Sequence, residues 1–164
     1  IKMDKTIKVE YKNQVIKEYP EKTPFLEIAK SFQHEYDYPI LVARVNNSMT
    51  ELSQTLEKKC DVDFYDRSSV IGNAIYSSAV HFLMIAATKK VLGANAEVII
   101  QHSIDKGVFC QLIDLPLDSE TISQIEDKMK EMVKEDYTFV KVGVSRQDAI
   151  QLLKKKKHQT EDKA

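Results

Sequence analysis

The chain has no tryptophan, and only two cysteines, four glycines and four prolines among its 164 residues. Cys60 and Cys110 lie far apart and neither has a CxxC partner, which fits a reducing, cytoplasmic setting better than a disulfide framework. Charge of one sign is missing as well. Lys plus Arg number 24 and Asp plus Glu 25, a net charge of -1. No whole-molecule field would therefore draw the chain onto nucleic acid or an anionic membrane, and any RNA contact must come from a local patch. The longest apolar run, Ala79–Ala87, is interrupted by His81 and falls far short of the ~20 residues that span a bilayer. No signal-peptide pattern and no internal repeat or low-complexity linker is visible. GxxxxGK[ST] is absent, so nothing here would cradle a nucleoside triphosphate. The chain opens on Ile1 rather than Met and closes on a polar tail, Lys154–Ala164, and reads as a fragment of a longer protein.

What is present has two parts. Ile7–Tyr11 alternates apolar and polar residues as a half-buried strand does, and Val15–Tyr19 resumes the alternation after a polar turn at Asn13-Gln14, which predicts a hairpin. Thr23 is placed to cap a helix whose first residue would be Pro24. Phe25, Ile28, Ala29 and Phe32 recur at helical spacing, so a helix is expected over Pro24–Glu35. Ile40–Asn46 is a β-branched, strongly apolar strand. Asn46-Asn47-Ser48 is turn chemistry, since Asn tolerates positive φ. A short strand over Glu51–Leu56 and a last strand over Asp61–Asp66 complete about 60 residues.

Ser68-Ser69 opens the second part. Asn73–Leu92 lacks Pro and Gly and is apolar on most sides, which predicts a long central helix stopped by Gly93 in the left-handed region. Glu97–Gln101 and Val108–Ile113 read as two strands around the turn Asp105-Lys106-Gly107. Asp118 or Ser119 caps a helix over Glu120–Lys134, with Ile122, Ile125 and Met129 on one face. Thr138–Val144 reads as a third strand and Ser145–Lys157 as a third helix capped by Ser145. The fold class expected is α+β, with helices over a mostly antiparallel sheet and module boundaries at 1–67 and 68–164.

The IKVEY/VIKEY hairpin, the helix after Thr23, the phrase Leu41-Val42-Ala43-Arg44-Val45-Asn46-Asn47 and Glu51-Leu52 together resemble the TGS domain. That is a β-grasp, ubiquitin-like module at the N-terminus of threonyl-tRNA synthetases and in some GTPases and nucleoside kinases. From Ser69 to about Lys157 the chain resembles the editing-type second additional domain that follows TGS in those synthetases. The matching phrases are Tyr76-Ser77-Ser78-Ala79-Val80-His81-Phe82-Leu83, Asp105-Lys106-Gly107-Val108-Phe109-Cys110, Leu117–Lys134 and Val144-Ser145-Arg146-Gln147-Asp148-Ala149-Ile150-Gln151-Leu152. A helix-on-antiparallel-sheet module is implied there.

One departure bears on chemistry. Editing synthetases carry an HxxxH pair on the long helix, two imidazoles one turn apart that can hold a metal or position a water. Here Ser77 takes the first position and only His81 remains, so no metal site is expected, and hydrolysis by this region alone is not expected either. Val45-Asn46-Asn47, the helix to Phe82 and above all His102-Ser103-Ile104-Asp105-Lys106-Gly107 before Val108-Phe109-Cys110 resemble the N-terminal region of bacterial nucleoside (uridine-type) kinases. That resemblance implies a non-catalytic binding or regulatory region ahead of a P-loop kinase domain in the same polypeptide. It also implies ATP and Mg²⁺ for the parent protein but no cofactor for this region. The alternative is the TGS-plus-editing region of a threonyl-tRNA synthetase-like protein. The candidate ligand-binding residues are Ser77, His81, His102, Lys106 and Cys110, for a small ligand or RNA, with no membrane partner. An isolated histidine on an apolar face is more often a satisfied core residue, and a run such as Lys154–Lys157 more often a solvated helix end. Tyr11, Tyr19, Tyr36, Tyr38 and Tyr65 could stack on bases, but arginine is not regularly interleaved with them, and packing in the core or at its rim is the commoner role.

Overall fold

The structure is a computed structural model that describes residues 5–104, 107–113, 115, 117–137 and 139–152. The chain divides into two compact units, Ile1–Ala79 and Val80–Ala164, the division falling within one long helix.

In the first unit, β1 (Thr6–Tyr11) and β2 (Val15–Pro20) form the expected antiparallel hairpin. Lys12 and Asn13 turn it with φ of 50° and 54°, a geometry whose twist suits a tight hairpin. β3 (Val42–Val45) and β4 (Ser48–Thr50) form a second hairpin through Asn46 and Asn47, at φ 45° and 68°. The Asn46 side chain also accepts the Asp61 N–H at 2.9 Å. β5 (Cys60–Tyr65) lies between the hairpins, parallel to β1 and antiparallel to β3, giving the order β2-β1-β5-β3-β4. This is a β-grasp sheet, with α1 (Phe25–Lys30) across one face. Alternation dictates the core. Ile7, Val9 and Tyr11 of β1 and Cys60, Val62 and Phe64 of β5 point one way, onto Phe25, Ile28, Ala29 and Phe32, each large apolar side chain contributing about 1.5–3 kcal/mol by leaving water. The Tyr11 and Phe32 rings stack at 3.9 Å.

Two expectations for this unit need correction. The helix over Pro24–Glu35 is shorter: α1 ends at Lys30, and Gln33–Glu35 is a separate 3₁₀ turn. Pro24 is extended (φ -61°, ψ 143°) at the N-cap rather than inside the helix, and the Thr23 hydroxyl donates to the Pro20 carbonyl instead of capping. The first-turn N–H groups of Phe25 and Leu26 donate to the carbonyls of Gln54 and Leu52. The chain returning from β4 thus supplies the partners that a side-chain cap would otherwise provide. That use of residues 51–56 also explains the second correction: the short strand is Ser48–Thr50, directly after the Asn turn, and residues 51–56 carry only a bridge from Thr55 to Pro24.

The long helix α2 (Val70–Leu92) begins earlier than expected, because Ser69 Oγ accepts the Gly72 N–H at 3.0 Å and caps it. Gly93, at φ 98°, ends it as predicted. At 23 residues it is long and apolar enough to cross a membrane, and 11% of its most apolar 18-residue window is buried. Counting an uninterrupted apolar run missed this, because Asn73, Ser77, Ser78 and His81 break the run without lowering the average much. Length and composition alone do not separate a span from a helix covered by other protein.

In the second unit β6 (Val98–Ile104) and β7 (Gly107–Leu112) pair antiparallel, with a register shift between Ile100 and Ser103. The expected turn residues Asp105 and Lys106 lie outside the described residues. α3 (Ser119–Lys134) is capped by Asp118, which accepts the Thr121 N–H at 2.8 Å. The third strand expected over Thr138–Val144 does not form among the described residues: 139–144 is irregular, with Phe139, Val140 and Val142 at 67%, 78% and 70% exposure. Its alternation and β-branching suit a strand, but among the described residues no ladder joins it to β6 or β7, which pair with each other. Residues 146–152 are helical, capped by Ser145, whose Oγ accepts the Asp148 N–H at 3.1 Å. The remainder of the helix expected to Lys157 lies outside the described residues.

Candidate functional site

α2 carries the first two candidate residues because it is uninterrupted by Gly93 or proline until its end. Ser77 and His81 are both half-buried and one turn apart. At 100° per residue, His81, Met84 and Thr88 fall on one stripe of the helix, with Ser77 one turn before His81 on the same line.

The second unit holds a cavity of about 130 Å³ beyond His81 on that stripe. Met84 and Thr88 line it from α2, Val98 and Cys110 from the hairpin, and Ile122 and Ile125 from α3. Cys110 stands opposite Ile100 across the hairpin, where strand alternation turns it inward with Val98 and Leu112. The polar groups on this wall are already engaged. The Thr88 hydroxyl donates to the Met84 carbonyl at 2.8 Å, the Cys110 thiol faces the Val108 carbonyl at 3.7 Å, and Gln111 accepts from Gln101 at 3.2 Å. Lined mostly by apolar side chains, the cavity suits an apolar group rather than a bond-breaking reaction.

Of the five candidates, Cys110 lines this cavity and Ser77 and His81 do not. His102 lies on β6 within the irregular stretch of the hairpin, and its side chain is outside the described residues, as is Lys106. The Lys154–Lys157 run lies outside them too. Among the described residues there is no cluster of three His, Cys, Asp or Glu side chains that could hold a metal ion. Met84, Thr88, Ile122 and Ile125 were read from the sequence only as helix faces, if at all. Their spacing marks an inward face but cannot say that the facing hairpin leaves a gap.

The tyrosines of the first unit separate into classes that the sequence did not distinguish. Tyr11 is buried at 2% exposure, its hydroxyl 2.9 Å from both Glu35 Oε2 and the Tyr36 hydroxyl. Burial is the main cause that pushes the Tyr11 phenol up to about 12, and burial with the Tyr11 bond raises Tyr36 further. Tyr11 cannot stack on a base. Tyr38, in contrast, is 38% exposed.

No protein-family model matches the chain. It is 25% identical over 150 residues to the threonine–tRNA ligase of Desulforamulus reducens, covering 91% of this chain and 24% of that protein. Over 151 residues it is 26% identical to the threonine–tRNA ligase of Acetivibrio thermocellus, covering 92% and 24%. With the threonine–tRNA ligase of Clostridioides difficile the identity is 26% over 149 residues, covering 90% and 23%. The chain thus spans about a quarter of the length of the curated relatives it matches. The nucleoside-kinase setting gains no support from them. Along some nine-tenths of its length, this chain is similar to the N-terminal region of threonine–tRNA ligases.

Proposed function

We propose that the chain is the TGS-plus-editing-type N-terminal region of a threonyl-tRNA synthetase-like, cytoplasmic protein, with modules at 1–67 and 68–164, and that it receives the aminoacylated end of tRNA. The observation that carries this reading is the similarity to threonine–tRNA ligases over almost the whole chain. The β-grasp sheet order agrees with it. Ser77 in place of the first imidazole favours binding and positioning over metal-assisted hydrolysis, because a lone His81 can exchange a proton but cannot share a metal across one helical turn. His102, Lys106 and Cys110 are retained as candidate contacts on the hairpin side. The test is deacylation of mischarged tRNA by the full-length protein, with threonylation measured alongside. Threonylation with slow deacylation that His81→Ala does not change is the expected outcome. Fast deacylation lost in His81→Ala would make the region a catalytic editor instead.

A second reading keeps the region but changes the parent: a uridine-type kinase that uses ATP and Mg²⁺, with the kinase domain downstream. The phrase His102 to Cys110, together with Ser77, favours it. Phosphorylation of uridine by the full-length protein, without threonylation, would replace the first reading with this one.

A further inference from the structure

Tyr38, Arg67 and Tyr76 are distant in sequence, yet in the first unit they form one cluster, with Arg67 stacked on Tyr38. The Arg67 guanidinium carbon lies 3.9 Å from the Tyr38 ring centroid and 5.7 Å from that of Tyr76. Both tyrosines are exposed, at 38% and 42%, and Arg67, within reach of both rings, is exposed too. Periodicity along the sequence does not place this arginine on these rings; the fold does.

The stack is held from beneath. Tyr38 donates its backbone N–H to Asp66 Oδ2 at 3.2 Å, and its carbonyl accepts from Gln33 Nε2 at 2.9 Å. The other end of that amide, Gln33 Oε1, accepts the Ile40 N–H at 3.0 Å, so one side chain clamps the loop on both sides of Pro39. Asp66 is 3% exposed, and its second oxygen accepts from the Ser68 N–H at 2.8 Å and from the Ser68 hydroxyl. The adjacent carboxylate is thus committed to backbone and hydroxyl donors, and no ion pair joins it to Arg67. Tyr76 sits on the second turn of α2. A loop fixed by two buried or half-buried side chains, with its ring left in solvent beside a guanidinium, is a pre-formed surface rather than a packed one.

The geometry points to a binding site at Tyr38, Arg67 and Tyr76 for an unpaired RNA base. The planar faces would stack on the base, and the guanidinium would meet its backbone phosphate. Aromatic rings and arginine planes stack on splayed single-stranded bases, each contact being sequence-tolerant because every base has a π-face. A duplex buries those faces and would not be recognised here. The chain's net charge of -1 gives no general attraction to RNA, so binding depends on this cluster. The inference rests on the tRNA-facing reading for the identity of the polymer.

The test is anisotropy of a labelled single-stranded polyadenylate with the full-length protein, against the same strand in a duplex. The expected result is binding to the single strand alone, weakened about tenfold in Arg67→Ala and in Tyr76→Leu. Arg67→Lys is expected to keep the salt dependence but lose affinity, since an ammonium carries the charge without the plane. Thermal melts of each variant verify folding. No single-strand binding, equal binding to the duplex, unchanged affinity in all variants, or preference for polyglutamate over RNA would each overturn the site. Threonylation that persists while Arg67→Ala leaves RNA affinity untouched defeats the stack and spares the tRNA reading. Single-strand binding without any action on tRNA does the reverse.

Discussion

Gly72 and Asp66 approach so closely that a Cβ placed on Gly72 would fall 1.8 Å from the Asp66 carbonyl oxygen. The obstructing atoms are backbone, at the end of β5 and within the first turn of α2, so neither can rotate away. The same carbonyl accepts the Ser69 hydroxyl at 2.8 Å, which brings Ser69 Oγ to the Gly72 N–H. The chain can turn from strand to long helix in this few residues because one position carries no side chain.

Gly72→Ala is therefore expected to destabilise the first unit by roughly 2–3 kcal/mol, the range for overpacking where the neighbour cannot yield. Urea unfolding checks this, and a midpoint equal to that of the unsubstituted protein would contradict the packing.

Asp66 predicts acid sensitivity. The Ser68 hydroxyl bond, together with the backbone donors of Ser68 and Tyr38, holds its carboxyl below the ordinary 3.8. A carboxyl depressed in the folded state stabilises fully above its unfolded value and loses that contribution as pH falls through the folded one. Stability is expected to fall below about pH 4, and Asp66→Asn should flatten that part of the curve. A curve unchanged by the substitution would assign the acid limb to other carboxyls.

Tyr11 predicts the alkaline side. Its phenol is raised from 10.0 to about 12, so its contribution is complete below pH 10 and disappears as pH approaches 12. Spectrophotometric titration of the seven tyrosines should show Tyr11 and Tyr36 ionising last. Tyr11→Phe keeps the stack on Phe32, removes the late step for residue 11 and costs about 1 kcal/mol at neutral pH.

Ser77→His would restore two imidazoles one turn apart on α2. Zinc is expected to raise the melting temperature of this variant and not that of the unsubstituted protein, as binding to the folded state alone requires. An equal rise in both would mean that His81 already binds zinc with other partners.

The two thiols should differ in reactivity. Cys60 is 5% exposed and its thiol is raised by burial, whereas Cys110 is half-buried. One fast-reacting thiol is expected in the native state, lost in Cys110→Ser, and two in denaturant. Two fast thiols in the native state would place Cys60 outside the core.

Much of the β-grasp unit was legible because its signals are local. Alternation in β1 and β5 marks the buried face, Asn46 and Asn47 accept positive φ, and Gly93 and Asp118 punctuate helices through their own backbone or side chain. Where the reading failed, a distant segment had intervened. α1 lacks the side-chain cap that Thr23 suggests because the Gln54 and Leu52 carbonyls accept its first N–H groups from another part of the chain. Residues 139–144 have the composition of a strand, yet among the described residues they pair with neither β6 nor β7.

The candidate site was less legible for the same reason. Ser77 and His81 are neighbours on a helix, so their spacing could be read directly, whereas the cavity walled by Met84, Cys110 and Ile125 exists only once hairpin and helices have packed. Tyr38 and Arg67 give no sequence signal of their contact.

The sequence by itself determined which residues alternate inward, where the turns can form and that one imidazole stands where a pair could have stood, since each depends on neighbours a few residues apart. Only the tertiary structure decided that β1 and β5 run parallel, that Asp66 clamps the Tyr38 loop and that Arg67 meets the rings of Tyr38 and Tyr76. Those contacts close long loops, and their free energy depends on groups that periodicity cannot bring together.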